Sequence, residues 1–203
     1  MARRGYHHGN LRQALVEAAL ELIAEKGPQG FTLSEAAKRA DVTPAAVYRH
    51  FAGRDDLIME AARQGYDIFG ALMDYAYDEG RPSALSAFEA VGRAYIAFAR
   101  KYPGHYMAMF ESGLSVQRHA DLAQAAARCT AVLERAAERL SAHIPPEKRP
   151  PAAMFSAHVW AMSHGVVELF TRGETRSPFP AEDLLEAGIG IYLRGLGLLP
   201  QDA

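Results

Sequence analysis

A chain of 203 residues with net charge -2, 49% apolar and 23% charged residues has the make-up of a globular protein, not of a disordered one. Its one cysteine, Cys129, excludes an internal disulfide and cannot complete a zinc site, which points to a reducing, cytoplasmic compartment. The longest uncharged stretch, 150–167, holds two prolines, two histidines and two serines, and no apolar run follows Arg3 and Arg4. Neither a membrane span nor a secretory signal is therefore expected.

Taken in chain order, almost every segment has helical periodicity, and no stretch alternates like a strand. The first helix is expected over 11–26, with Leu11, Ala14, Leu15, Ala18, Ala19, Leu22 and Ile23 on one face and Glu17, Glu21 and Glu25 on the other. Asn10 is its expected cap, and Gly27-Pro28 its stop. Thr32 and Glu35 have the spacing of a capping box that opens a second helix. After Asp41-Val42, Thr43 is placed to cap a third, short helix over 44–50, with Pro44 at its first position. Two short helices joined by so tight a turn are the geometry of a helix-turn-helix. Phe51 to Arg54 interrupts the pattern, and Asp55-Asp56 open a long helix with acids at its positive end. Further helices are expected over 55–78, 83–101, 103–111, 120–143, 152–171 and 181–197, separated by Gly- and Pro-rich breaks.

The expected fold is thus all-α. A three-helix head over 1–58 is joined by a long helix to an all-helical body over 59–203. Charge divides along the same line. Residues 1–54 hold eight Lys/Arg against five Asp/Glu, and the remainder holds fourteen against nineteen. A basic end on an acidic body suits an approach to phosphates.

The segment from Phe31 to Phe51, followed by Gly53-Arg54-Asp55-Asp56-Leu57, resembles the DNA-binding region of tetracycline-repressor-like (TetR-type) transcriptional regulators. Helix caps, turn and the Tyr48-x-His50-Phe51 ending agree in order and spacing over about residues 7–60. The resemblance implies that helix 44–50 enters the major groove of double-stranded DNA. Small Ala45 and Ala46 at its start would allow close approach and contact to thymine methyls. Thr43, Tyr48, His50 and Arg54 would hold backbone phosphates, with Thr32 and Pro44 on the same surface. Arg49 is the candidate for a base edge, because a guanidinium spans guanine O6 and N7. Asp41 stands where the family often has glycine, and Ala45 and Ala46 where glycine and a hydroxyl residue are common. Ala36, Ala37, Ala40, Val42, Val47 and Phe51 read as the packing core of the head. Arg3, Arg4, His7, His8 and Arg12 form a basic leader, read either as an arm along DNA or as a solvated terminus.

In the body, Tyr95 to Phe110, with Trp160 and His164-Gly165 downstream, resembles the regulatory domain named for its Trp, His and Gly. That resemblance implies a ligand-sensing and dimerisation module. Phe98, Tyr102, Tyr106, Met109, Phe110, Trp160 and His164 would line a site for a small, largely apolar effector; the same residues read equally as core. Metal binding is not expected from His105, His158 and His164, nor is a cofactor, and no nucleophile elbow, phosphate loop or other catalytic constellation is present.

The apolar helix 152–171 needs cover on more than one side. Gly188, Gly190 and Gly195 in the last helix are each explained by close helix approach or by a break. The resemblance implies a two-fold dimer through these helices and hence a roughly palindromic operator. The expected function is a ligand-responsive regulator, most simply a repressor, with the long fourth helix as the lever. A helical carrier without a DNA role is the alternative.

Overall fold

The computed structural model describes residues 11–172 and 177–200. The leader residues Arg3, Arg4, His7 and His8 and the Asn10 cap lie outside that range, as does the first half of the break expected over 173–180. Among the described residues there are nine α-helices and no strand. They are α1 Leu11–Lys26, α2 Leu33–Arg39, α3 Pro44–Val47, α4 Arg54–Tyr77, α5 Ala84–Lys101, α6 Pro103–Phe110, α7 Ala120–Ser141, α8 Ala152–Val166 and α9 Ala181–Gly195.

Local chemistry accounts for most of the ends. Gly27 takes φ +80° and its N–H bonds Ile23 O at 2.8 Å, closing α1. Asp41 adopts φ 56°, a left-handed conformation that aspartate tolerates better than most side chains, while Val42 N–H reaches back to Ala37 O at 2.9 Å. In the capping box, the Glu35 amide donates to Thr32 Oγ1 at 3.2 Å and the Thr32 amide to Glu35 Oε2 at 2.9 Å.

Three expectations need correction. Regular helix in α3 ends at Val47, not His50: Tyr48–His50 form a tighter turn, with His50 N–H bonding Val47 O at 2.9 Å. That tightening delivers Phe51 into the core, where it is 1% exposed. Thr43 occupies the N-cap position of α3, yet its side chain makes no capping bond. Finally, the helix expected to run unbroken to residue 171 widens into a π turn over Val167–Arg172. The wider turn buries Val167 completely and leaves Leu169 53% exposed.

The chain forms two compact units. One runs to Tyr66 and adds Tyr102–Ala126; the other comprises Asp67–Lys101 and Ala127 onward. The first therefore takes in α6 as well as the three-helix head. Here α1 packs on α6 at Gly104, where a Cβ would stand 2.4 Å from Leu20 O, so the two backbones meet at a distance only glycine permits. Leu15, Val16, Ala19 and Ile23 of α1 join Ala36, Ala37, Val47, Phe51, Leu57 and Ile58 in the buried core. Ala40 and Val42, expected there too, are only half-buried. In the second unit α5, α8 and α9 pack on one another around Phe88, Val91, Tyr95 and Phe98 of α5.

Candidate nucleic-acid interface and sensing core

The expected DNA-facing residues share one property: the fold does not use them for its core. Thr32, Thr43, Pro44, Ala45, Arg49 and His50 are exposed, Tyr48 is 63% exposed, and Ala46 and Arg54 are half-buried. A tyrosine that exposed forgoes the stabilisation its ring would gain by burial. Thr43 Oγ1, freed from capping, and the rings of Tyr48 and His50 leave the surface of the turn rich in donors.

Most of the nearby positive charge is held internally. Arg39 of α2 grips Glu25 of α1 through two bonds of 2.8 Å and reaches Glu21 at 3.1 Å. Lys26 pairs with Glu35 at 2.6 Å. This contact, followed by the Thr32 amide, lowers the Glu35 carboxyl to a pKa of about 2. Arg12, expected in the basic leader, is paired within the chain, though its side chain stays 49% exposed. It donates to Glu60 of α4 at 3.0 and 3.1 Å, and its guanidinium carbon stands 5.1 Å from the Phe51 ring centroid. Glu60 is 8% exposed. Burial raises its pKa, but hydrogen bonds from Arg63, Arg12 and Gln64 outweigh that and hold it at about 2. Lys38 and Arg49 have no ion-pair partner among the described residues, so Arg49 brings an uncommitted guanidinium to the recognition turn.

Arg54, expected to grip a phosphate, is itself gripped. Its Nη2 donates to Gln29 Oε1 at 2.6 Å and its Nη1 to Gln29 O at 3.4 Å. The side chain remains 34% exposed.

The seven expected effector residues divide between the units: Tyr102, Tyr106, Met109 and Phe110 lie in the first, and Phe98, Trp160 and His164 in the second. In the second unit Phe98 is fully buried and stacks on Phe69, with ring centroids 4.7 Å apart. Trp160 and His164 stack at 6.4 Å, as their one-turn spacing allows. Both meet Tyr95: its hydroxyl pairs with His164 Nδ1 at 2.8 Å, and its ring lies edge-on to Trp160 at 5.4 Å. Tyr95 is 2% exposed and central to this cluster, yet sequence reasoning did not single it out as a site residue. Its place on the α5 face with Phe88, Val91 and Phe98 is the signal that could have found it. In the first unit, Tyr106 is fully buried and packs on Phe110, centroids 4.8 Å apart, and Phe110 meets Tyr66 edge-on at 6.0 Å. Tyr102 lies edge-on to His105 at 5.8 Å, and burial lowers His105 to a pKa of about 4, so it is neutral at pH 7. Cys129 is buried as expected of a structural thiol, with burial pushing its pKa up to about 12. No helix among the described residues is long and apolar enough to cross a membrane.

An all-helical chain that withholds a short helix and its following turn from its own core belongs to the helix-turn-helix class. The chain is a member of the tetracycline-repressor family: residues 15–61 match the family described as bacterial regulatory proteins, tetR family, and 88–192 match the tetracyclin repressor-like C-terminal domain. The second match alone spans half of the chain. A curated relative, the "Uncharacterized HTH-type transcriptional regulator YobS" of Bacillus subtilis, is 29% identical over 101 residues, 49% of this chain and 51% of that protein. The chain thus spans about half the length of that relative. Among solved structures, a protein with unknown function from Rhodococcus sp. RHA1 is 25% identical with a TM-score of 0.80, covering 96% of this chain and 99% of the other. AibR, solved in complex with isovaleryl coenzyme A and operator DNA, shares the fold at 18% identity and a TM-score of 0.71, over 89% of this chain and 97% of its own.

Proposed function

We propose that this protein is a homodimeric transcriptional repressor whose affinity for a roughly palindromic operator is lowered by a small, largely apolar effector. The observation that carries the reading is the exposed surface running from Thr43 to His50, on a turn whose buried side, Val47 and Phe51, is committed to the core. Thr43, Tyr48, His50 and Arg54 fix register through phosphates, with Thr32 beside them. Ala45 and Ala46 admit the duplex closely, and Arg49 reads a base edge. AibR, solved with isovaleryl coenzyme A and operator DNA, supports the pairing of a small molecule and a duplex on this fold.

Dimerisation through α8 and α9 is supported by what their own chain leaves uncovered. Met154 is 51% and Ile191 69% exposed. A Cβ at Gly188 would meet only Met162 Sδ at 3.8 Å, and one at Gly195 would meet nothing within 4 Å. Packing within the chain therefore does not require these glycines, and a close-approaching partner helix would give a reason for them. The Tyr95–Trp160–His164 cluster is the proposed sensing end, in keeping with the Trp-His-Gly resemblance. Helix α4, which runs from the head into the second unit, is the proposed lever. An effector that favours the conformation unfit for DNA weakens operator binding by the same factor that operator weakens effector binding.

The test is selection of bound duplexes from a random pool, followed by salt titration on the recovered site. A two-fold symmetric motif with steeply salt-dependent affinity is expected. Recovery of no motif, together with salt-independent retention, would contradict the reading.

A further inference from the structure

The loop between α1 and α2 carries a polar contact that nothing in the packing of the head requires. Gln29 is exposed, yet its side-chain amide is used at both ends. Its Oε1 accepts from Arg54 Nη2 at 2.6 Å, and its Nε2 donates to the carbonyl of Ser112 at 2.8 Å. Ser112 is 4% exposed and lies just after α6, within the same compact unit. Its own hydroxyl accepts from Leu114 N–H at 3.4 Å, which closes the turn that presents the carbonyl.

We propose that Gln29 is a positioning residue for DNA binding, holding the Arg54 guanidinium in its phosphate-facing pose and held in turn by the turn that follows α6. The inference rests on the DNA-binding reading above and assigns Arg54 a regulator within the fold. An arginine side chain has many rotamers, and fixing one before contact spares the complex that ordering cost. Gln29 occupies one edge of the guanidinium, leaving further N–H donors on a side chain that is 34% exposed. Asp55, 3.5 Å from Nη2, is too distant to set the pose alone. Because one amide serves both contacts, displacement of the turn after α6 withdraws the Gln29 support and frees Arg54.

The experiment is a double-mutant cycle on a mixed-sequence DNA duplex over a series of salt concentrations, with wild type, Gln29→Ala, Arg54→Ala and the double variant. Gln29→Ala is expected to weaken binding about three- to tenfold, the cost of ordering one long side chain, and to lower the salt slope toward that of Arg54→Ala. In the Arg54→Ala background the same substitution is expected to cost nothing further. Equal losses in both backgrounds, or an unchanged slope, would show a merely structural glutamine and overturn the proposal. Wild-type protein that ignores the duplex would overturn the DNA-binding reading itself, whereas wild-type binding with an inert Gln29→Ala sinks only the glutamine link. The Ser112 contact is read separately by exchange of the Gln29 side-chain amide protons in a 15N-labelled sample. Protection retained in Arg54→Ala supports the link, and exchange as fast as a free glutamine overturns it.

Discussion

The recognition turn and the Tyr95 cluster are built on opposite principles. Around α3 the fold places a few side chains, Val47 and Phe51, into the core and leaves their neighbours outside, so surface and core separate residue by residue. Around Tyr95 every named side chain packs against another, and the hydroxyl of Tyr95 is already paired with His164. Function is legible from structure where side chains are left over from the core, and hidden where they are used up by it. An exposed tyrosine, and an arginine with no ion-pair partner among the described residues, are free to meet an external partner, while a filled aromatic cluster is as well explained by packing as by sensing.

Breaking the core beneath the recognition turn gives the largest expected effect. Phe51→Ala should destabilise the head by about 3–5 kcal/mol, as measured by denaturant unfolding, and abolish duplex binding with it. Gly104→Ala comes next. Its new methyl would press on Leu20 O, and such overpacking costs about 1–3 kcal/mol, with the loss expected in the unit that holds both α1 and α6. Smaller and more local effects sharpen the contrast between the two regions. Tyr95→Phe should cost about 1 kcal/mol by removing the bond to His164, leaving duplex affinity unchanged. Thr32→Ala should cost about 1 kcal/mol through its capping box, and this one should lower duplex affinity as well.

Proton linkage supplies the last contrast, within the first unit. His105 has its folded pKa depressed from 6.5 to about 4, so stability is complete above pH 6.5 and falls as pH drops toward 4. Glu60 has its own lowered from 4.5 to about 2, so its contribution is present above pH 4.5 and lost as pH falls through 2. Melting temperatures across this range should show two limbs, with His105→Phe removing the upper and Glu60→Gln shrinking the lower, which Glu35 shares. A single limb unchanged by either variant would refute both assignments.

Much of the head was legible because its determinants are local. The Thr32–Glu35 box, the Asp41 turn, the Gly27 stop and the start of α3 at Pro44 each depend on a few adjacent residues, and their positions agree with expectation. The long helices were legible from their apolar spacing to within a few residues. Contacts across long stretches of chain were not. Nothing near Arg12 in sequence tells that it pairs with Glu60, and nothing near Gly104 tells that Leu20 backs onto it. Arg54 was singled out as a phosphate candidate by its position alone, whereas its hold on Gln29 depends on a loop 25 residues away. The π turn after Val166 was hidden because a continuous apolar helix pattern does not record one extra residue in a turn.

Affinity for a mixed-sequence duplex, followed from low to moderate salt for the wild-type protein and Arg54→Ala, tests the central claim most directly. The account predicts binding that falls steeply with salt and a slope smaller by about one unit per head in the variant. Absence of binding at low salt, or identical slopes, would contradict it.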